Sequence, residues 1–420
     1  MAAWFIILKA RWLESALSYE GTLAFHPRSA VMMYFYPNLV LIMNLFPIIV
    51  TSLLILLAAY IGWRLVPSRG FVGWRVLAWL SIVALAACVP FGFILRGSNS
   101  VWLPSVNYGF GLYSLLLVFV FLRDALLLGT KFWPKSQSAS LERREFLRGA
   151  SRVGAVGAAA AVFGYGAARA AASPTVVHMD VLVKNLPDSL IGTTIVQLSD
   201  VHIGQLAGEA TYVQRIVTTV NELNADILAL TGDFVDGSVA RLRENFAPLG
   251  QLKAKYGAFF ATGNHEYYSG VAEWMEEFRT LGWDVLENEH RVLNINGSPL
   301  VLAGVHDYKS GSRSKTHRCD PAAALANAPA DTPRILLAHH PDTALLTDGL
   351  NVDLQLSGHT HAGQYFPATW IVHWVHQYAQ GLNRRGDMNI YVNSGTGYWG
   401  PPIRTTDITG EITLVTLKKA

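Results

Sequence analysis

The pattern of hydrophobic and polar positions changes character near residue 173. Before it, apolar residues run on in long stretches. After it they come in short β-branched runs broken by Gly, Asp and Asn. Three of the early stretches are long enough to cross a hydrocarbon layer of about 30 Å, which takes about 20 residues of helix: Leu39–Trp63, with Pro47 inside it, Val76–Leu95 and Val101–Leu122. A fourth, Val153–Gly166, is rich in Ala and Gly and only marginally long. Beyond Pro174, Thr194–Ser199, Asp226–Leu230, Gly257–Ala261, Leu300–Val305, Arg334–Ala338, Asp353–Ser357, Asn389–Asn393 and Glu411–Leu417 read as buried or half-buried strands. Thr211–Asn224 places Val213, Ile216, Val217, Val220 and Leu223 on one helical face, and Val271–Leu281 does the same with Trp274, Met275 and Phe278. Strands and helices alternate first and strands dominate later. That order predicts an α/β fold, a four-layer αββα sandwich, preceded by an all-α transmembrane region.

Composition sharpens this division. Charged residues are only 15% of the 420, against about 25% in soluble domains, and the mean hydropathy is +0.28, which excludes an entirely soluble, a disordered or a collagen-like chain. Residues 1–172 hold 15 Lys and Arg against 5 Asp and Glu, whereas residues 173–420 hold 18 against 25. The basic excess thus lies in the apolar half, which reads as membrane topology and not as nucleic-acid binding. Arg64, Arg69 and Arg75 follow the first span; Arg123, Lys131, Lys135, Arg143, Arg144, Arg148 and Arg152 follow the third. The loops at 64–75 and 123–152 are therefore expected in the cytoplasm, and the N-terminal segment 1–38 outside, against the pull of Lys9, Arg11 and Arg28. The layout expected is residues 1–38, three spans within 39–130, a basic loop and fourth apolar segment in 131–172, and a soluble domain over 173–420. Cys88 and Cys319 fall in different halves, so neither a disulfide nor a clustered-thiol metal site is expected.

Arg143-Arg144-Glu145-Phe146-Leu147-Arg148, before the fourth segment, resembles the twin-arginine signal of bacterial export, with Ala170 and Ala172 at small-residue sites where cleavage would fall. The alternative is a basic juxtamembrane loop before an ordinary fourth helix. Both carry the chain across the bilayer, so the soluble domain is expected to face away from the cytoplasm; a segment lying on the membrane would leave it inside.

Twelve of the 13 histidines follow residue 173, and the polar residues fit for chemistry sit just after strands. Asp200-Val201-His202 follows the first, Thr231-Gly232-Asp233 the second and Gly263-Asn264-His265-Glu266 the third; His339-His340 and Gly358-His359-Thr360-His361 follow two later ones. A parallel sheet brings the carboxyl ends of its strands to one rim, where ligands bind. Two Asp, one Asn and several His converging there suit two divalent cations, and mixed imidazole and carboxylate donors suit Mn, Fe or Zn better than Mg or Ca. Such a pair of metals neutralises phosphoryl oxygens and stabilises a leaving group. Gly232, Gly263 and Gly358 are expected to allow the sharp turns that aim the ligands inward.

These ordered blocks, across residues 200–361, resemble the calcineurin-like metallophosphoesterase superfamily. Gly358-His359-Thr360-His361-Ala362-Gly363-Gln364 and Tyr398-Trp399-Gly400-Pro401-Pro402-Ile403-Arg404 narrow it to the bacterial membrane-associated branch, which includes wall-associated phosphoesterases and enzymes similar to UDP-2,3-diacylglucosamine pyrophosphatases. The resemblance implies that Asp200, His202, Asp233 and His361 hold one metal, and that Asp233, as the bridge, holds the other with Asn264, His339 and His359. It further implies attack on a phosphodiester, phosphomonoester or lipid pyrophosphate by a hydroxide bridging the metals, with His265 as the acid or as stabiliser of phosphoryl charge, Asn264 beside it, and Glu266 orienting its neighbours. His339 is chosen over His340 because it directly follows the strand. Ala362 stands where the family often has glycine.

The expected partners are the membrane and a phosphate-ester substrate, with nothing to set an oligomeric state. Tyr365–Tyr378 is strongly aromatic and reads either as core or as a segment in the bilayer interface, which would admit lipid-linked phosphates. Arg384, Arg385 and Arg404 are candidates to grip a second phosphate or solvated cations. His306-Asp307 reads as a solvated turn, with support of the site as the alternative, and His178, His290 and His317 read as surface or packing residues. A catalytically silent binding or sensor module on the same fold is the rival reading, and the complete ligand set argues against it. Within the three main spans no ionisable residue stands away from an end, which favours an anchor over a transporter.

Overall fold

The computed structural model describes residues 48–95, 100–129, 141–205, 209–312, 314, 316–407 and 409–420. The expected segment 1–38, the first part of the span from Leu39, Pro47, and residues 130–140 of the basic loop after the third span lie outside the described residues. Among the described residues, four helices are long and apolar enough to cross a membrane: α1 (Ile48–Leu65), α2 (Val72–Ile94), α3 (Leu103–Gly129) and α4 (Leu141–Ala171), the last through its stretch Glu145–Ala171. The fourth segment is thus much longer than the marginal run seen in the sequence. Its Ala-rich composition favours helix well beyond the apolar stretch, and the hexamer Arg143–Arg148 forms part of its opening turns. One compact unit comprises the described residues up to Val89 with Leu112–Ala161; the other comprises Pro90–Gly111 with Val162–Ala420. In the first unit Asp124 pairs with Arg64 and Arg123, and Arg123 Nε donates to Ser151 Oγ at 3.0 Å, so the charges near these helix ends are partnered.

In the second unit, two six-stranded sheets stack face to face. The first runs β1 (Thr175–Val183), β12 (Glu411–Lys419), β2 (Thr194–Leu198), β3 (Ile227–Leu230), β4 (Ala258–Phe260), β5 (Asp284–Val285) in spatial order. The second runs β10 (Gly381–Arg385), β11 (Met388–Val392), β9 (Leu354–Ser357), β8 (Arg334–Leu337), β7 (Ser298–Gly304), β6 (Glu289–Ile295). From β2 to β5, and from β11 to β7, neighbours are parallel, so both sheets end their central strands on a common rim. Alternation along the strands builds the layers. Ile195, Ile227, Ala229, Phe259 and Val415 face Leu302, Ile335, Leu337, Leu354 and Leu356 between the sheets. Val196, Leu198, Leu228, Leu230 and Phe260 point outward, against α5 (Glu209–Glu222), α6 (Val239–Phe246) and, after α7 (Asn264–Ser269), α8 (Val271–Thr280). On the far side Val301, Ala303, Leu336 and Ile390 are covered by α9 (Pro321–Ala324), a 3-10 helix at Pro341–Leu346 and loop residues such as Val352 and Tyr378, so the fourth layer of the αββα sandwich is thin. The two expected helices appear within two residues of their predicted starts, as α5 and α8.

Candidate metal centre

The rim collects the candidate residues. Asp200 and His202 follow β2, Asp233 follows β3, Asn264 and His265 open α7 after β4, His339 follows β8, and His359 and His361 follow β9. Asp200, His202, Asp233, His359 and His361 all have φ between 50° and 73°. Non-glycine residues rarely adopt this left-handed backbone, and such strain concentrates at functional sites. Ala362, in the place of a glycine, shares it at φ 52°.

Two donor groups result. Asp200, His202 and His361 each offer a ligand atom within 4.8 Å of the others, and so do Asp233, His339 and His359. In the first, His361 Nε2 stands 3.2 Å from Asp200 Oδ1 and 3.1 Å from His202 Nε2. In the second, His339 Nε2 is 3.0 Å from Asp233 Oδ2 and 3.2 Å from His359 Nδ1. Asn264 Oδ1 is buried with no hydrogen-bond partner. An orphaned buried carbonyl oxygen and lone-pair nitrogens packed against carboxylates fit divalent cations, and fit little else.

The surrounding groups fix this geometry. His202 Nδ1–H donates to Asp236 Oδ2 at 2.7 Å and His339 Nδ1–H to the Thr231 carbonyl at 2.8 Å, which turns both Nε2 lone pairs into the site. Asp236 also accepts from His265 Nδ1, so His265 Nε2 faces the centre, 3.9 Å from Asp233 Oδ2. Gln205 Nε2 donates to Asp236 Oδ2 at 2.6 Å, and Gln205 Oε1 accepts from Gly400 N and from Asn107 Nδ2 of α3. Glu266 accepts from the backbone N–H groups of Asp233, Phe234 and Gly263, pinning the second and third ligand loops together. Gly232 has the expected left-handed φ of 79°. Gly263 and Gly358 are needed for space instead: a Cβ would stand 2.2 Å from Asp233 Oδ1 in one case and 2.1 Å from Asp200 Oδ2 in the other.

Charge follows from this packing. Burial opposes ionisation of Asp200, but the imidazoles of His361 and His339 outweigh it and hold the carboxyl well below the usual range. Burial likewise loses to His265 and His202 at Asp236. Burial would lower His202, but Asp236 and Asp200 raise it to about 10, and Asp233 and Asp200 hold His339 well above the ordinary imidazole value. Burial takes His361 down to about 4 and, with His340 and His339 beside it, takes His359 well down. Glu266 is pushed to about 7 by burial and by the charge on Asp233. Anionic oxygens therefore surround two imidazoles whose protons a cation would displace.

The structure brings all the predicted ligand residues and His265 to one rim, and it places Glu266 where it orients its neighbours. His340, the other half of the doublet, uses Nδ1 to accept from Asp342 N. Several lesser expectations need correction. Arg404 does not reach out for phosphate: it is buried, and Nη2 donates to the carbonyls of Ser394, Gly395 and Gly397. Arg385 is engaged by Asp348, and Arg384 Nε donates to Gly386 O. His306 and Asp307 are buried, not solvated, because Tyr267 OH and a stacked His317 cover the imidazole and Thr262 meets the Asp307 N–H. His290 is a packing residue, as expected, with Nδ1 donating to the Ala324 carbonyl. Sequence reasoning overlooked Asp236 and Gln205. Asp236 lies three residues beyond Asp233 in a Gly-Asp-x-x-Asp-Gly run, and that was its only signal.

Comparison with known proteins covers the stretch that contains the rim residues. The calcineurin-like phosphoesterase family matches residues 193–363. A Danio rerio protein described as a transmembrane protein with metallophosphoesterase domain is 36% identical over 395 residues, 89% of each chain. Metallophosphoesterases of Helicobacter pylori and Bacillus subtilis are 35% and 31% identical, over 64% and 66% of this chain and 72% and 98% of their own. A rim of Asp, Asn and His donors on an αββα sandwich, matched along nearly the whole chain, identifies this protein as a metal-dependent phosphoester hydrolase that belongs to the calcineurin-like metallophosphoesterase family.

Proposed function

We propose that the chain is a membrane-tethered phosphoesterase with two cation sites. Asp200, His202, Asp233 and His361 would hold one divalent ion; Asp233, Asn264, His339 and His359 would hold the other. The observation that carries this reading is the pair of donor groups, each with imidazole lone pairs turned inward by outer hydrogen bonds. Bound Mn, Fe or Zn supplies positive charge for the phosphoryl oxygens and lowers the pKa of water toward neutrality. The chain's own residues do the rest. Asp233 would hold the two halves in register, Asn264 would offer its amide oxygen, and Asp236, accepting from His265 Nδ1, aims His265 Nε2 at the centre. Hydroxide attacks phosphorus in line with inversion, and His265 Nε2 hands a proton to the departing oxygen.

The substrate side of this reading is a phosphodiester, phosphomonoester or lipid-linked phosphate at a membrane. The end of α4 meets the catalytic unit directly, through Arg404 N donating to Gly166 O at 2.9 Å, and Ile403 packs over Gly111 in the first part of α3. Both contacts fall toward the span ends opposite the basic loops at 64–75 and 123–152. This supports a multi-pass protein whose catalytic domain lies on the extracytoplasmic side, the outer face of the inner membrane in a bacterial cell.

The test uses the full chain in liposomes, stripped of metal and then given Mn²⁺, with bis-(p-nitrophenyl) phosphate and p-nitrophenyl phosphate compared. Metal-dependent release, lost in Asp233→Asn, is expected. Full turnover by Asp233→Asn with both cations bound would overturn the ligand assignment. Two bound cations with no release from either ester in wild type would favour the silent binding module.

A further inference from the structure

We propose that α10 (Ala368–Val375) lies in the bilayer interface and docks the rim of the metal centre onto the lipid surface. The helix buries none of its residues; Trp370 and Trp374 are 72% and 75% exposed. With His373 they form one stripe at i, i+3 and i+4, facing away from the protein. No charged residue occurs from Tyr365 to Tyr378. Two exposed tryptophans on a charge-free helix of two turns suit the headgroup boundary, where one face of the indole is apolar and its N–H stays wet. At about 1.5 Å per residue the helix is far too short to span a membrane.

The occupant is set by continuity with the spans. Just before α10, Gln364 Nε2 donates to the carbonyls of Trp399 and Pro401, and Phe366 N donates to Thr405 Oγ1. The same strap bonds through Arg404 N to Gly166 of α4, and Arg169 Nη2 of α4 donates to Thr406 O. The stripe thus emerges beside helices that already enter the bilayer. Beyond α10, the ring of His376 stands 6.0 Å from that of His359, and Thr360 Oγ1 donates to Ala379 O. The segment is pinned to the 399–405 strap at its near end and to the loop that carries His359 and His361 at its far end. An amphiphile could keep its tails in the lipid while its phosphate reaches those ligands. The lipid contact itself does not depend on the hydrolytic reading, since it is read without turnover.

The test places a nitroxide at Trp370→Cys or Trp374→Cys in a Cys88→Ser/Cys319→Ser background, with the full chain in phosphatidylglycerol/phosphatidylethanolamine liposomes. Collision with oxygen, which partitions into lipid, is compared with collision with a water-soluble nickel chelate, and Glu276→Cys on the exposed face of α8 serves as the water reference. A higher oxygen-to-nickel ratio at both positions than at 276 is expected. A ratio equal to that at 276 overturns the proposal, and so does a label shielded from both agents, which would mean a second copy covers the stripe. Should the cysteine-free chain fail to fold, the fluorescence component lost in Trp370→Phe/Trp374→Phe must be quenched by lipids brominated near the headgroup; an unquenched component overturns the proposal equally.

Discussion

Asp236→Asn probes the least conspicuous part of the site. The side chain is 2% exposed and its carboxylate accepts from His202 Nδ1 and Gln205 Nε2 on one oxygen and from His265 Nδ1 on the other. Asparagine keeps the shape but offers one acceptor and one NH₂ group, so one imidazole must meet a donor where it needs an acceptor. If that imidazole is His202, its proton moves to Nε2 and the lone pair facing the first cation site is lost; outer-partner changes of this kind cost about 10–100-fold in metal affinity, or about 1.4–2.8 kcal/mol. If it is His265, Nδ1 loses the acceptor that turns Nε2 toward the centre and proton delivery suffers, worth about 10²–10⁴-fold. The two cases separate by leaving group. A p-nitrophenolate departs readily without a proton, so its ester would be nearly spared in the second case while an alkyl phosphodiester would suffer fully. The assay is kcat/KM for both esters at saturating Mn²⁺, with the metal affinity measured by equilibrium dialysis and folding checked by thermal melting. A folded variant with unchanged metal affinity and unchanged rates on both esters would refute the claim that Asp236 positions the two histidines.

Three further outcomes are expected. His202, with a folded value of about 10 against about 6.5 when unfolded, stabilises the metal-free protein fully below about pH 6.5 and ceases to do so as pH rises through 10; His339 acts in the same direction. Metal-free protein should therefore melt at falling temperature from pH 7 to 10, an effect on the order of a few kcal/mol, and saturating Mn²⁺, which displaces those protons, should remove the decline; a flat metal-free profile would contradict this. Gly263→Ala puts a Cβ 2.2 Å from Asp233 Oδ1, so Mn²⁺ uptake and turnover should collapse while stability falls by about 1–3 kcal/mol; near-normal turnover would show that the loop gives way. Arg404→Met strips donors from three carbonyls, each costing about 1–3 kcal/mol if left unpaired, so Tm should drop and mono- and diester activity should fall together. A raised KM at unchanged Tm would instead mean that Arg404 grips phosphate.

What was legible in the sequence, and what was not, follows from burial. All eight strands read from the sequence exist, because a strand covered on both faces must be apolar throughout or alternate cleanly. The four overlooked strands, β1, β5, β6 and β10, are the four sheet edges. β6 carries Glu289, His290 and Arg291, and β10 carries Asn383, Arg384 and Arg385; polar edges of this kind discourage pairing with other chains and erase the strand signal. The proposed ligand residues could be picked out because each sits next to a strand end and belongs to an ordered set. Asp236 was not, since its partners His202 and His265 lie 34 and 29 residues away. Arg404, His306 and Asp307 misled for the opposite reason: polar residues after strands look solvent-facing until the chain folds back over them.

The place of β12 has a consequence for biosynthesis. It is inserted between β1 and β2, parallel to one and antiparallel to the other, so residues 411–419 fill a gap in a sheet whose other members were made long before. At roughly 5–20 residues per second, the wait from β1 to β12 is on the order of ten seconds or more. During it β1 and β2 present unpaired backbone edges beside a membrane. The catalytic domain must therefore stay unfinished until its last strand is made, and close late. A nascent chain stalled just short of Glu411 would keep its spans and every proposed ligand residue, yet have no finished sheet to hold them.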